Sequence, residues 1–212
     1  IDALDETGMR DNTLLVFCSD HGEELGEHGN YNHYFRLHQH STSVPLVFHR
    51  PGIGAQSISA LTSLMDLAPT VTDITGVKPA EDWEGLPVTA PEVQGRDHIV
   101  LETFHGGNCL FEHRPIYMAA RGQQYKLIWR EWLDPGDTFG VDGHELYDLR
   151  ADPLESKNLY RPDHPELPAL LAPIEKRLSE IPEFPSERLA AVRAERKNAL
   201  AARGHLVLRS SQ

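Results

Sequence analysis

The sequence predicts an α/β fold, joined to a small antiparallel sheet with a packed helix. Three observations carry this. Thr13-Leu14-Leu15-Val16-Phe17-Cys18 and Val44-Pro45-Leu46-Val47-Phe48 are apolar runs, the pattern of strands covered on both faces in a parallel sheet. Residues 61–75 and 167–181 carry apolar side chains at helical spacing. From Asp97 the pattern changes to short alternating segments, which predicts an antiparallel sheet.

In chain order, residues 1–9 read as a helix end, with Ile1, Leu4, Asp5 and Gly8 at helical spacing and Gly8 as its stop. Asp11-Asn12 makes a turn into the first apolar run, which places Cys18 in a core strand. Residues 19–43 form a loop rich in glycine and histidine; loops longer than about 12–15 residues in compact domains are usually functional or disordered. Pro45 stands at the entrance of the second strand, where a missing N–H is tolerated. Residues 61–75 follow as a helix with Leu64, Leu67, Ala68, Val71 and Ile74 on one face and Gly76 ending it. Residues 79–95, rich in Pro, Gly and acids, are the expected boundary between a domain of residues 1–95 and one of 96–212.

Short strands are expected at 98–103, 116–121, 125–129 and 145–148, with a hairpin turn at Gly122-Gln123. A helix over 167–181 faces Leu170, Leu171, Ile174 and Leu178 inward and stops before Pro182 and Pro185. Residues 186–203 read as a solvated final helix. Trp129 and Trp132 are expected to pack on the sheet, Tyr147 at the seam between the two parts, and Asp152-Pro153 and Asn158 in turns.

Composition bounds the function. Among 212 residues, 40% are hydrophobic, enough for a packed core, and the net charge is −12. No basic patch appears, which argues against nucleic-acid binding. No apolar run approaches the roughly 20 residues of a membrane span. Cys18 and Cys109 are the two cysteines and read as free thiols. The chain begins at Ile1 without an initiator methionine, so the missing signal peptide leaves localisation open. A homo-oligomer is compatible with all of this.

Ser19-Asp20-His21-Gly22 falls at the carboxyl end of the first strand, where open α/β sheets place their chemistry. Asp20 offers a hard carboxylate suited to Ca²⁺, Mg²⁺ or Mn²⁺, and His21 a nitrogen. Alone, these residues also read as a capped turn with a surface histidine.

The wider pattern resembles the carboxyl-terminal half of the sulfatase family, within the alkaline phosphatase-like superfamily. SDHGEELGEHG followed by SVPLVFHRPG is similar to its central motif. The segments at residues 8–13, 63–70, 125–128 and 145–159 resemble its flanking ones, in order. The resemblance implies an α/β/α sandwich and metal-dependent hydrolysis of sulfate esters, on a small molecule or a glycan. It implies that Asp20 and His21 are the family's two later metal ligands, for a divalent ion, Ca²⁺ before Mn²⁺ or Mg²⁺. His33, four residues after Gly29, stands where the family places a Lys or His that contacts the ester and assists the leaving group. Arg36 is a candidate for the substrate anion, and His105, in His105-Gly106-Gly107-Asn108, for the pocket rim.

Other residues are expected to be bland. Glu23 and Glu24 read as solvated charges, His28 as framework, and His38 and His40 as helix-surface histidines, with an extension of the polar site as their alternative. Gly22, Gly26 and Gly29 are expected to let the backbone fold tightly around the site. Two departures stand out. Leu37-His38-Gln39-His40 replaces the Leu-Tyr-Glu-Glu common in the family's subgroup that has a His at the His33 position. The family's upstream nucleophile motif, Cys or Ser-x-Pro-x-Arg, matured to formylglycine, and its first paired aspartates are not among these residues. The chain by itself is therefore expected to be inactive. Two other readings stay open: a phosphonate monoester or phosphodiester hydrolase of the same superfamily, and a non-catalytic remnant that binds a metal or an anion.

Overall fold

The computed structural model describes residues 1–29, 31–33, 36–52, 54–103, 117–130 and 143–181. The expected helix over 186–203, His105 and its neighbours, Cys109 and Trp132 lie outside them.

The alternating segments of the second half pair in sequential order. Strands β5 (His98–Thr103), β6 (Tyr117–Gly122), β7 (Tyr125–Arg130) and β8 (Glu145–Asp148) form one antiparallel sheet, each bonded to the next. Arg121 pairs with Lys126, so the tight turn is Gln123-Gln124, one residue beyond the expected position. Alternation sends successive side chains to opposite faces. Met118, Ala120, Leu127 and Leu146 meet Leu167, Leu170 and Ile174 of helix α5 (Leu167–Glu180), with Leu171 and Leu178 packed at the margin. Each of the leucine, isoleucine and methionine side chains contributes about 1.5–3 kcal/mol on burial. Trp129 packs on the same cluster. The other face buries Ala119, Ile128, Tyr147 and Leu149 against Leu37 of the 19–43 loop. The sheet therefore has a helix on one side and the histidine-rich loop on the other. Turn chemistry closes β8: Asn158 Oδ1 accepts from Leu146 and Tyr160 N–H groups, and Asp152 carboxylate oxygens accept from Lys157 N–H and Ser156 O–H.

In the first half, α1 (Asp2–Glu6) gives way to Gly8 with φ 67°. Strand β1 (Leu15–Cys18) pairs with β4 (Leu46–His49), and the pairing is antiparallel. This corrects the expected parallel arrangement. Among the described residues, the return from β1 to β4 holds short elements: β2 (Glu24–Leu25), β3 (Tyr31–Asn32) and α2 (Gln39–Thr42). None of these is a long helix, the usual crossover of a parallel return. The expected burial also fails. Phe17 is 67% and Val47 53% exposed, and Cys18 is an exposed free thiol rather than a core residue. Apolar composition records what a strand can bury, and among the described residues β1 and β4 have only each other as ladder partners.

The predicted helix near residue 61 begins later. A 3₁₀ turn, Leu64–Asp66, leads into α3 (Leu67–Thr75), with Ser63 and Asp66 forming a reciprocal capping box. Gly76, at φ 73°, ends it as expected. Its buried side is Asp66, Pro69 and Thr70, whereas Ala68 is exposed. Residues 79–95 cause this difference. Leu86 N–H donates to Asp66 and Val88 N–H to the Thr70 hydroxyl, while Val88, and Val93 in α4 (Pro91–Gln94), are buried. Arg96 then grips both Asp66 carboxylate oxygens at 2.7 and 3.0 Å. The Pro- and Gly-rich segment is thus tied to α3 by hydrogen bonds. Among the described residues, no helix is long and apolar enough to cross a membrane.

Candidate metal centre and substrate cleft

The site grows from the end of β1. Asp20 Oδ1 accepts the His21 backbone N–H at 3.0 Å, and Ser19 Oγ–H donates to the His21 carbonyl. That backbone N–H, helped by the backbone N–H of Asp20 itself and the His21 ring, holds the Asp20 carboxyl below its usual range. His21 Nδ1–H donates to the Gly22 carbonyl at 2.8 Å. A carbonyl only accepts, so this bond fixes the tautomer and leaves the lone pair on Nε2. Nε2 lies 3.6 Å from Asp20 Oδ2. An anionic oxygen and a tautomer-locked nitrogen side by side fit a divalent cation.

Backbone packing holds this pair in place. Gly22 N–H donates to the Ser41 carbonyl at 2.9 Å. A Cβ on Gly22 would stand 1.9 Å from the His40 carbonyl oxygen, so a side chain cannot fit there. Glycine is needed at this crossing for close approach, as expected of the loop glycines.

His33 comes to the same place from further along the loop. Its ring stacks on His21 with centroids 4.0 Å apart, and its Nδ1–H donates to Glu23 Oε2 at 3.1 Å. Asp20, His21, His33 and Arg36 all line one cleft of about 690 Å³, within the range of small-ligand sites. Arg36 also donates from Nη1 to the His28 carbonyl at 3.2 Å. The structure thus brings together four of the five predicted site residues; His105 lies outside the described residues.

Sequence reasoning missed what the sheet supplies. Arg121 of β6 and Glu102 of β5 form part of the cleft wall. Burial pushes the Arg121 guanidinium down from its ordinary value, yet a guanidinium keeps its charge at neutral pH. Two arginines therefore face this cleft in a chain of net charge −12. A charged residue inside an alternating strand was the available signal.

Two expected surface residues turn out to be buried. Glu24 is 0% and His38 2% exposed. The reason is the sheet: His38 Nε2 reaches Glu145 Oε2 of β8 at 2.8 Å, and His38 Nδ1 reaches Glu24 Oε1 at 3.1 Å. Glu23, in contrast, stays exposed.

Comparison with known proteins gives a consistent family. Residues 1–77 match the family described as Sulfatase. A choline-sulfatase of Rhizobium meliloti (strain 1021) is 32% identical over 166 residues, covering 75% of this chain and 29% of that protein. A protein solved in complex with its substrate D-glucosamine-2-N,6-O-disulfate superposes with a TM-score of 0.61 at 25% identity, over 84% of this chain and 36% of the other. A 2-O GAG sulfatase superposes with a TM-score of 0.62 at 25% identity, over 88% of this chain and 42% of the other.

Proposed function

This chain is sulfatase-like and spans 29% of the length of the choline-sulfatase it matches, and on that premise we propose that it supplies the cation-holding, leaving-group side of a sulfate ester hydrolase. The observation that carries the reading is the His21 tautomer lock beside Asp20, at the rim of a cleft with two guanidinium groups.

Asp20 and His21 would hold the cation, with Ca²⁺ favoured by the hard carboxylate and Mn²⁺ or Mg²⁺ as the other candidates. Once bound, such a cation supplies charge neutralisation at the ester oxygens and a lowered pKa at an attacking oxygen. His33, oriented by its bond to Glu23, would hold a sulfate oxygen and protonate the departing alcohol. Arg36 and Arg121 would bind the anion, and their planar forks match its oxygens. The substrate class is a sulfate ester on a small molecule or a sugar, in keeping with the disulfated glucosamine bound by one structural relative.

The test uses the complete protein that carries this chain, assayed on aryl sulfates with and without chelator. Asp20→Ala should abolish metal-dependent turnover. His33→Ala should slow poor leaving groups more than good ones. Equal losses across leaving groups would remove His33 from its role, and faster turnover of phenyl phosphonate than of aryl sulfate would overturn the substrate class.

A further inference from the structure

Behind the cleft wall lies a cluster of side chains that the proposed hydrolysis does not use. Glu24 and His38 are buried, and the half-buried His28 ring stacks on His38 with centroids 3.8 Å apart. One donor atom each from Glu24, His28 and His38 lies within 4.8 Å of the others. Two of the polar atoms here, Glu24 Oε2 and His28 Nε2, are buried without a hydrogen-bond partner. Orphaned polar atoms of this kind cost about 1–3 kcal/mol each, and more when charged, so their clustering calls for a ligand.

We propose that Glu24, His28 and His38 form a second, buried metal site, selective for a transition ion of the zinc type and separate from the Asp20–His21 pair. Two imidazoles and one carboxylate are a zinc donor set, with a fourth position left for water. Hard oxygen-loving ions such as Ca²⁺ find too few oxygens here.

Support for the ligands is already built. Glu145 Oε2 takes the Nε2–H of His38 at 2.8 Å, and the Tyr147 hydroxyl donates to that same oxygen at 2.5 Å. A carboxylate behind a ligating histidine fixes its tautomer and raises its basicity. That leaves His38 Nδ1, 3.1 Å from Glu24 Oε1, as the metal-facing nitrogen. Zinc bonds of about 2.0–2.2 Å require the three donors to draw inward and the two stacked rings to splay. His38 stands at the Tyr of the subgroup's Leu-Tyr-Glu-Glu, so the site is a property of this chain's departure.

The test is zinc binding by the complete protein, stripped of metal and titrated with Zn²⁺, then with Co²⁺ as a visible reporter. Wild type should take up one tight equivalent with the d–d bands of a low-coordinate nitrogen–oxygen site. Asp20→Ala should keep that equivalent, which separates this inference from the hydrolase reading. His38→Tyr should weaken binding at least a hundredfold, and Glu145→Gln by about 10- to 100-fold. The metal-free thermal transition of His38→Tyr reports its folding, and the isosteric Glu24→Gln replaces it if it fails to fold. Loss of the equivalent in Asp20→Ala, or wild-type affinity in both His38→Tyr and Glu24→Gln, would overturn the proposal.

Discussion

Replacing Gly22 with alanine tests the crossing on which the candidate metal centre is built. The new Cβ would meet the His40 carbonyl oxygen at 1.9 Å, against an ordinary contact of at least 3.4 Å. Relief therefore needs about 1.5 Å of separation between the two backbone segments. The bond between Gly22 N–H and the Ser41 carbonyl, now 2.9 Å, cannot survive such a shift. Its loss costs about 1 kcal/mol, and residual strain adds about 1–3 kcal/mol. The larger effect falls on the site. His21 Nδ1–H is anchored to the Gly22 carbonyl, so the displacement rotates the imidazole away from Asp20 and from the His33 stack. A misplacement near 1 Å costs on the order of a hundredfold in rate. Calorimetric Ca²⁺ titration and aryl sulfate turnover of the complete protein, with thermal melts alongside, measure both parts. A variant with wild-type melting and wild-type metal affinity would refute the reasoning.

The Asp66 carboxyl accepts from the Ser63 and Leu86 N–H groups and from Arg96. Burial raises its pKa, but Arg96 and those N–H groups outweigh it and leave the group depressed. A depressed carboxyl stabilises fully above its unfolded value of about 3.9 and loses that contribution as pH falls through the folded value below it. Urea midpoints should therefore drop as pH falls below about 4, and Asp66→Asn should flatten that part of the curve while costing about 2–4 kcal/mol at neutral pH. Lys126 and Glu155 form a fully buried ion pair, Nζ to Oε1 2.9 Å, and Glu155 Oε2 also accepts the Gln39 N–H that opens α2. Lys126→Met alone should cost about 3–5 kcal/mol by leaving a buried carboxylate uncompensated. Adding Glu155→Leu should recover a part of that loss in chemical denaturation. A double variant weaker than the single would contradict this account.

Periodicity and turn chemistry were enough to place β5 and β8 to the residue, α5 within one residue of its end, and Gly76 as a helix stop, because each depends on residues a few positions apart. Asp20, His21, His33 and Arg36 were singled out by a resemblance carried within one loop, and the structure lines one cleft with all four. The antiparallel partner of β1, its exposed apolar faces and the polar buried side of α3 were not, since pairing direction and cover come from distant segments. The burial of Glu24 and His38 shows the limit most clearly. His38 meets Glu145 across 107 positions of chain, and a charged side chain becomes an interior one only when a partner arrives to replace water. Local sequence specifies what each segment prefers to become, whereas the fate of its polar groups is decided by which distant donors and acceptors the folded chain brings within bonding reach.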